Sequence, residues 1–361
     1  MTKLFTPLNF ANGRTMKNRF MLAPLTNQQS HTDGILSDDE YRWLTMRAKG
    51  GFGLTMTCAA HVQSQGKGFP GQLGIFSDDH LPGLTRLAQG INSENSLSMV
   101  QLHHAGMRSP EELIGCQPQC PSDNEKWGAR ALSTEEVEQL IEDFIIAAVR
   151  AEKAGFDGVE VHGAHGYILA QFLSSATNQR NDQFGGSVEN RGRVIKRIID
   201  GIRERCSSDF ILGLRLSPER FEVALADIIE FAQSVLDDGK IDFLDMSLWD
   251  VFKEPEETKY QGRSLMSYFT ELRRGKVALG VAGKLRTPEE IECIMASDID
   301  FVLLGRAAIL HHDYPLQMQN NADFIPVSNP VSAGHLRDQG LGEAFVKYMS
   351  GWDGFVEPES L

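Results

Sequence analysis

Gly158-Val159-Glu160-Val161-His162-Gly163-Ala164-His165-Gly166-Tyr167-Ile168-Leu169-Ala170-Gln171-Phe172-Leu173 changes its period halfway along. Residues 158–161 form a short β-branched run that predicts a buried strand, and 168–173 predict an amphipathic helix. A parallel strand handing over to a helix is the repeating unit of α/β folds, and their chemistry gathers at that handover. Two imidazoles and a phenol stand there together. Paired histidines can donate to one ligand oxygen while a nearby tyrosine gives up a proton, so the stretch predicts an active site.

Working outward, the same alternation recurs along the chain. Buried-strand patterns fall at 20–25, 53–62, 96–104, 155–162, 210–216, 241–248, 276–281 and 299–304. They show little strict apolar–polar alternation, which suits parallel strands covered on both faces. Helical patterns lie between them. Residues 134–154 carry Val137, Leu140, Ile141, Phe144, Ile145 and Ala148 on one stripe, behind a capping-box pair, Ser133 and Glu136. Residues 188–205 repeat the logic after Ser187, and Pro288 opens another helix. Eight β/α repeats predict a closed (β/α)8 TIM barrel with an inserted excursion after strand 3, at about 105–132. No linker or composition break divides the chain, so 1–361 reads as a single domain with a C-terminal tail after about residue 315. That tail ends in an amphipathic piece, 341–349, expected to wrap the barrel or meet a neighbouring subunit. The rival doubly wound sheet lacks a GxGxxG after its first strand.

A net charge of −14 argues against a general partner in nucleic acid or anionic membrane. No apolar run approaches the roughly 20 residues of a membrane span, and the N-terminal residues lack a signal-peptide core, so a cytoplasmic enzyme is expected. Five cysteines without CxxC spacing fit a reducing compartment. Cys116 and Cys120 lie close, but two ligands make neither a zinc nor an iron–sulfur site, and no metal is expected.

Polar residues at the carboxyl ends of barrel strands face the active-site mouth. Here those ends carry Ala23-Pro24-Leu25-Thr26, Cys58-Ala59-Ala60, Gln101 with His103 and His104, His162, Arg215, Gly283-Lys284 and Gly305-Arg306. Singly, each has a bland reading: a turn cap, a satisfied backbone group, a structural ion pair. Their collection at one end favours a site. Gly283-Lys284 and Gly305-Arg306 end strands seven and eight, where this fold commonly binds phosphate. Glycine allows close backbone approach, and Arg306 adds a bidentate charge. Arg215 offers a fixed cation, Gln101 an amide edge, Thr26 a hydroxyl, and Ala59 and Ala60 room for a flat ring. Flavin mononucleotide fits, because its reduced ring is anionic near N1. The HxxH spacing itself admits a metal pair, satisfied core histidines, or paired donors to a substrate oxygen. Tyr167 could equally pack between strand and helix. Of His103 and His104, alternation turns His103 to the face of Gln101.

These residues resemble the old yellow enzyme family of FMN-dependent ene-reductases. The resemblance runs from Leu4-Phe5-Thr6-Pro7-Leu8 through Lys17-Asn18-Arg19 and Ala23–Thr26 to Gly305-Arg306, with 154–174, 177–180 and 184–191 as its most specific stretch. It implies non-covalent FMN held by Ala23, Pro24, Leu25, Thr26, Ala59, Gln101, Arg215, Gly305 and Arg306, with Gly283 and Lys284 near the phosphate. It implies that His162 and His165 hold the oxygen of an activated alkene and that Tyr167 is the proton donor. The expected reaction is ping-pong: NAD(P)H passes hydride to flavin N5, and an α,β-unsaturated carbonyl or nitroalkene then takes it. The chain departs from the family at Asn27-Gln28, where one branch carries a substrate-facing tyrosine, and at His103, where many members have tryptophan. Substrate choice is therefore expected to lie with Asn27, Gln28, His103 and the excursion. Alternatives are a 2,4-dienoyl-CoA-type reductase or general NAD(P)H:flavin oxidoreductase on the same barrel, an aldolase using Lys284, or a flavin-storing or flavin-sensing protein. Monomer and homo-oligomer stay equally open.

Overall fold

A computed structural model describes residues 3–358. Eight parallel strands close into a barrel: β1 (Phe20–Leu22), β2 (Leu54–His61), β3 (Leu97–His103), β4 (Gly158–Gly163), β5 (Ile211–Leu216), β6 (Phe243–Ser247), β7 (Ala278–Ala282) and β8 (Phe301–Leu304). Each pairs with its neighbour in sequence, and β8 returns to β1. The TIM barrel expected from the repeats is thus the fold. Predicted strand 20–25 overshoots, because pairing stops at Leu22 and the chain then turns across the mouth.

The helices α1 (Asp38–Lys49), α2 (Leu81–Asn92), α3 (Thr134–Lys153), α4 (Val188–Arg205), α5 (Leu225–Asp238) and α6 (Pro288–Met295) lie between strands. Helix α3 starts with the capping box of Ser133 and Glu136, and α4 starts on Ser187. The α4 stripe of Val194, Ile195, Ile198, Ile199 and Ile202 is fully covered, each such side chain stabilising by roughly 1.5–3 kcal/mol against exposure.

The barrel interior is a separate apolar layer, with Met21, Met56, Met99, Ile211, Phe243 and Phe301 at its heart. Glycines make it possible. A Cβ on Gly213 would lie 2.1 Å from the Phe243 ring, and one on Gly280 would lie 2.0 Å from Phe301. Below, a hairpin of Leu8–Asn9 and Thr15–Met16 plugs the barrel with Leu8, Phe10 and Met16. The sequence reading passes over this hairpin because two-residue strands carry no measurable period.

The excursion holds a helical turn, Glu111–Ile114, and a small sheet of Gln119–Cys120 with Arg130–Ala131. The tail wraps the barrel. Its helix α7 (Glu343–Ser350) sets Phe345 edge-on to Trp43 of α1 at 4.9 Å, and Gly342 N–H donates to Gln29 Oε1 at 2.8 Å. The 168–173 segment is a helix, Ile168–Leu173, but not an amphipathic one: all six residues are buried, since α4 packs against it on one side and the excursion on another.

Candidate active site

The turn after β4 is built to aim side chains. His165 and Gly166 both have left-handed backbone, φ 61° and 70°, a conformation uncommon for a non-glycine residue. Ser217 Oγ accepts from the His165 N–H at 3.1 Å, and the His165 carbonyl accepts from Arg108 Nη1 at 2.5 Å. Tyr167 then caps the buried helix. Its ring lies 4.4 Å from His103, 5.3 Å from His162 and 6.5 Å from His165, centroid to centroid, with the Arg108 guanidinium 4.8 Å above it. Four candidate rings therefore meet at one place.

Hydrogen bonds fix the tautomers of His162 and His103, and leave that of His165 to its partners. Ala164 N–H donates to His162 Nδ1 at 3.3 Å, which leaves the proton on Nε2. That Nε2 faces His165 Nδ1 at 3.4 Å, and His165 Nε2 lies 2.8 Å from Ser247 Oγ. Gln72 Nε2 donates to His103 Nδ1 at 3.1 Å, so His103 carries its proton on Nε2, which has no partner. All three imidazoles are neutral. Burial pushes His165 down to about 3, with Arg215 and Arg108 adding to the shift, and burial likewise lowers His162 and His103. Neutral N–H donors can polarise an oxygen without giving it a proton. His104 is turned away, accepting from Gly106 N–H at 2.9 Å.

Beside this cluster a cavity of about 300 Å³ is lined by Ala23, Pro24, Leu25, Arg215, Gly283, Lys284, Gly305 and Arg306, together with His165 and Ser247. Ala59, Gln101 and Glu160 stand in register across β2, β3 and β4, and His162, Arg215 and Asp245 across β4, β5 and β6. Gly283 has φ 155°, and a Cβ there would press on Trp249 and Asp250 at 3.0 Å. Arg306 forms no ion pair among the described residues and feels the like charge of Arg286, which together with burial lowers its pKa. Arg306 beside the glycine turns, with Arg286 in the adjoining cavity adding its charge and neither in an ion pair among the described residues, makes a site for an anion. Lys284 is less committed to it: its Nζ sits 3.2 Å from Asp250 Oδ2.

Several supports are not among the predicted residues. Gln72 holds both His103 and the Ala59 carbonyl, the latter at 2.7 Å. Ser247 ends β6, the strand whose carboxyl end the sequence reading leaves out. Tyr348 and Trp352 come from the tail. Tyr348 comes close to Thr26, and Trp352 joins the cavity wall. Nothing in the local sequence marks them, because the tail's return to the mouth is a tertiary event. Asn27 is a correction. It is completely buried and donates to Glu40 Oε1 at 3.0 Å, so it cannot face a substrate. Gln28 is half-buried on the same loop with φ 57°.

These residues fit FMN: a phosphate cradle of glycines and unpaired guanidiniums at one end, and a buried Gln101–Arg215 edge at the other. Fold and site define a TIM-barrel protein whose mouth is fitted to hold FMN.

Comparison with known proteins gives the same class. Residues 3–323 match the model of the NADH:flavin oxidoreductase / NADH oxidase family. A Bacillus subtilis (strain 168) protein described as the probable NADH-dependent flavin oxidoreductase YqiG is 36% identical over 330 residues, covering 89% of this chain and 88% of its own. The NADH:fumarate oxidoreductase of Klebsiella pneumoniae (strain 342) is 30% identical over 380 residues, or 99% of this chain, which spans only 41% of that protein. The solved old yellow enzyme homologue of Zymomonas mobilis superposes with TM-score 0.81 at 26% identity, covering 96% and 99% of the two chains. The chain belongs to the NADH:flavin oxidoreductase family, the family of old yellow enzyme.

Proposed function

We propose that the protein is an ene-reductase: it uses NAD(P)H to reduce the C=C bond of α,β-unsaturated carbonyls or nitroalkenes in a ping-pong cycle. The observation that carries this reading is the meeting of His103, His162, His165 and Tyr167 beside the flavin cavity. When bound, FMN supplies two-electron chemistry, accepting hydride from NAD(P)H and giving it up to an alkene. His162 presents an Nε2–H. His165 presents a second N–H once Ser247 donates to its Nε2, which places the imidazole proton on Nδ1. Both then point into one space and stabilise the negative charge on the substrate oxygen. Tyr167 supplies the proton to the α-carbon as general acid. Gly283, Gly305, Arg306 and Arg286 hold the phosphate, with Ala23, Pro24, Leu25, Thr26, Ala59, Gln101 and Arg215 around the ring. Lys284 closes the phosphate end while paired with Asp250, and Gln28 and His103 border the substrate.

On this reading 1–361 is one FMN-binding domain with its tail folded back. Its partner is a small activated alkene rather than nucleic acid or membrane, and it works in the cytoplasm. No helix of the described residues is long and apolar enough to cross a membrane. The test is stopped-flow reduction of the FMN-loaded protein by NADH and by NADPH, followed by mixing with cyclohexenone and a nitroalkene. Rapid bleaching and rapid re-oxidation by the alkene under anaerobic conditions are expected. Bleaching with no alkene-dependent re-oxidation would overturn the ene-reductase reading and leave a general flavin reductase.

A further inference from the structure

Two carboxyls lie at the level of Arg215, and the proposed reaction uses neither. Glu160 on β4 and Asp245 on β6 both have no exposed surface. Gln101 Nε2 donates to Glu160 Oε1 at 2.7 Å. Arg215 Nε lies 2.9 Å from Asp245 Oδ2, off the N–H axis, so the contact is one of charge rather than a straight hydrogen bond. The remaining oxygens meet each other. Glu160 and Asp245 come within hydrogen-bonding reach, and no N–H or hydroxyl of the described residues reaches Glu160 Oε2.

Two ionised carboxylates have only acceptors to offer and cannot bond to one another. In a buried site their repulsion is poorly screened, and a single guanidinium cannot neutralise both. One proton between them removes the repulsion and makes the bond. Its location follows from the neighbours. Asp245 has the cation, whereas Glu160 has a neutral amide from β3 and, among the charged groups of the described residues, faces only Asp245 and Arg215. The negative charge therefore stays on Asp245. Burial, reinforced by the Asp245 charge, pushes Glu160 up to about 8.

We propose that Glu160 is a neutral acid donating its hydrogen bond to Asp245, and that the pair is a positioning unit that holds Arg215 and offsets its charge toward the flavin. This rests on Arg215 facing the flavin, as in the proposed function. Arg215 alone would favour an anionic reduced ring strongly. With Asp245 ionised beside it, the row carries no net charge, and the preference for reduced over oxidised flavin is moderated. Glu160 acts through Asp245: it fixes the carboxylate and adds no second charge.

Two measurements test this. The first is infrared spectroscopy of the wild-type protein and Glu160→Gln at pH 6.5, with and without carbon-13 glutamate labelling. A protonated-carboxyl stretch that shifts with the label and is lost in Glu160→Gln is expected, whereas a band that survives Glu160→Gln belongs to another glutamate such as the buried Glu40 and overturns the proposal. No such band, or one insensitive to the label, overturns the proposal whatever the chain binds. The second is the flavin midpoint potential of the reconstituted wild type, Glu160→Gln and Asp245→Asn. Glutamine can accept from Gln101 and donate to Asp245, so Glu160→Gln should change the ratio of reduced- to oxidised-flavin affinity less than about twofold. Asp245→Asn should raise that ratio tenfold or more, about 30 mV for a two-electron couple. Equal shifts in both variants, or none in either, overturn it. Failure of the flavin reading shows separately, as no uptake of FMN by the wild type.

Discussion

Tyr167→Phe removes one hydroxyl and leaves the ring that packs in the site. The edge contact to His103 at 4.4 Å and the Arg108 guanidinium 4.8 Å above the ring are both available to phenylalanine. The loss therefore reports the proton. A general acid contributes roughly 10²–10⁴-fold, or about 2.7–5.5 kcal/mol. The structure argues for the low end of that range. Tyr348 is a second phenol close to Tyr167 and to Thr26. It is a poor substitute, because burial raises its pKa. Re-oxidation by an alkene should therefore slow about 10²-fold in Tyr167→Phe, and further when Tyr348→Phe is added. Reduction by NAD(P)H needs no protonation of carbon and should change less than about threefold. Anaerobic stopped-flow of the two half-reactions at the flavin absorbance separates them. Equal slowing of both, or full-speed re-oxidation in the double variant, would refute the assignment of Tyr167 as acid.

Other outcomes follow from the same geometry. Arg286→Ala should weaken FMN binding about tenfold to hundredfold, the worth of a charged hydrogen bond, whereas Lys284→Ala should cost less than about threefold because its ammonium already faces Asp250. Titration of apoprotein with FMN reads both, and an equal loss in the two would misplace the phosphate. His165 is held neutral down to about 3, while in the unfolded chain it takes its proton near 6.5. Its contribution to stability is thus complete above pH 6.5 and lost as pH falls toward 3, by up to about 1.4 kcal/mol per unit. Denaturant melts of wild type and His165→Gln between pH 7 and 4 should show a flatter dependence in the variant; parallel curves would mean that His165 is already charged in the native protein.

The barrel was legible because its signal is repeated. Strands such as Phe301–Leu304 are weak alone, but eight of them alternating with capped helices leave few topologies. The front row of the site was legible for a related reason: residues at strand ends inherit their direction from the barrel. Legibility stopped where side chains arrive by long detours. Tyr348 and Trp352 reach the mouth only because Phe345 docks on Trp43 and Gly342 on Gln29, contacts between positions some 300 residues apart that no local period encodes. Asn27 misleads in the opposite way. It sits one residue past a mouth-facing threonine, yet the buried Glu40 carboxylate on α1 draws its amide inward.

Strand β6 shows how much support a single row can carry. Its alternation sends Asp245 and Ser247 to the same face, two residues apart. Asp245 meets Arg215, in register with it on β5, and Ser247 meets His165. One strand thus holds the cation expected at the flavin and the imidazole expected at the substrate oxygen. A displacement of β6 would disturb both contacts together. Glu160 adds the cross-link from β4, two residues before His162, so the strand that carries the histidine is tied to the strand that orients its partner. A lone catalytic side chain would need neither tie. Two strands bonded through their buried carboxyls keep Arg215, His162 and His165 in one rigid frame, which an oxygen-holding pair requires if a misplacement of about 1 Å can cost 10²-fold in rate.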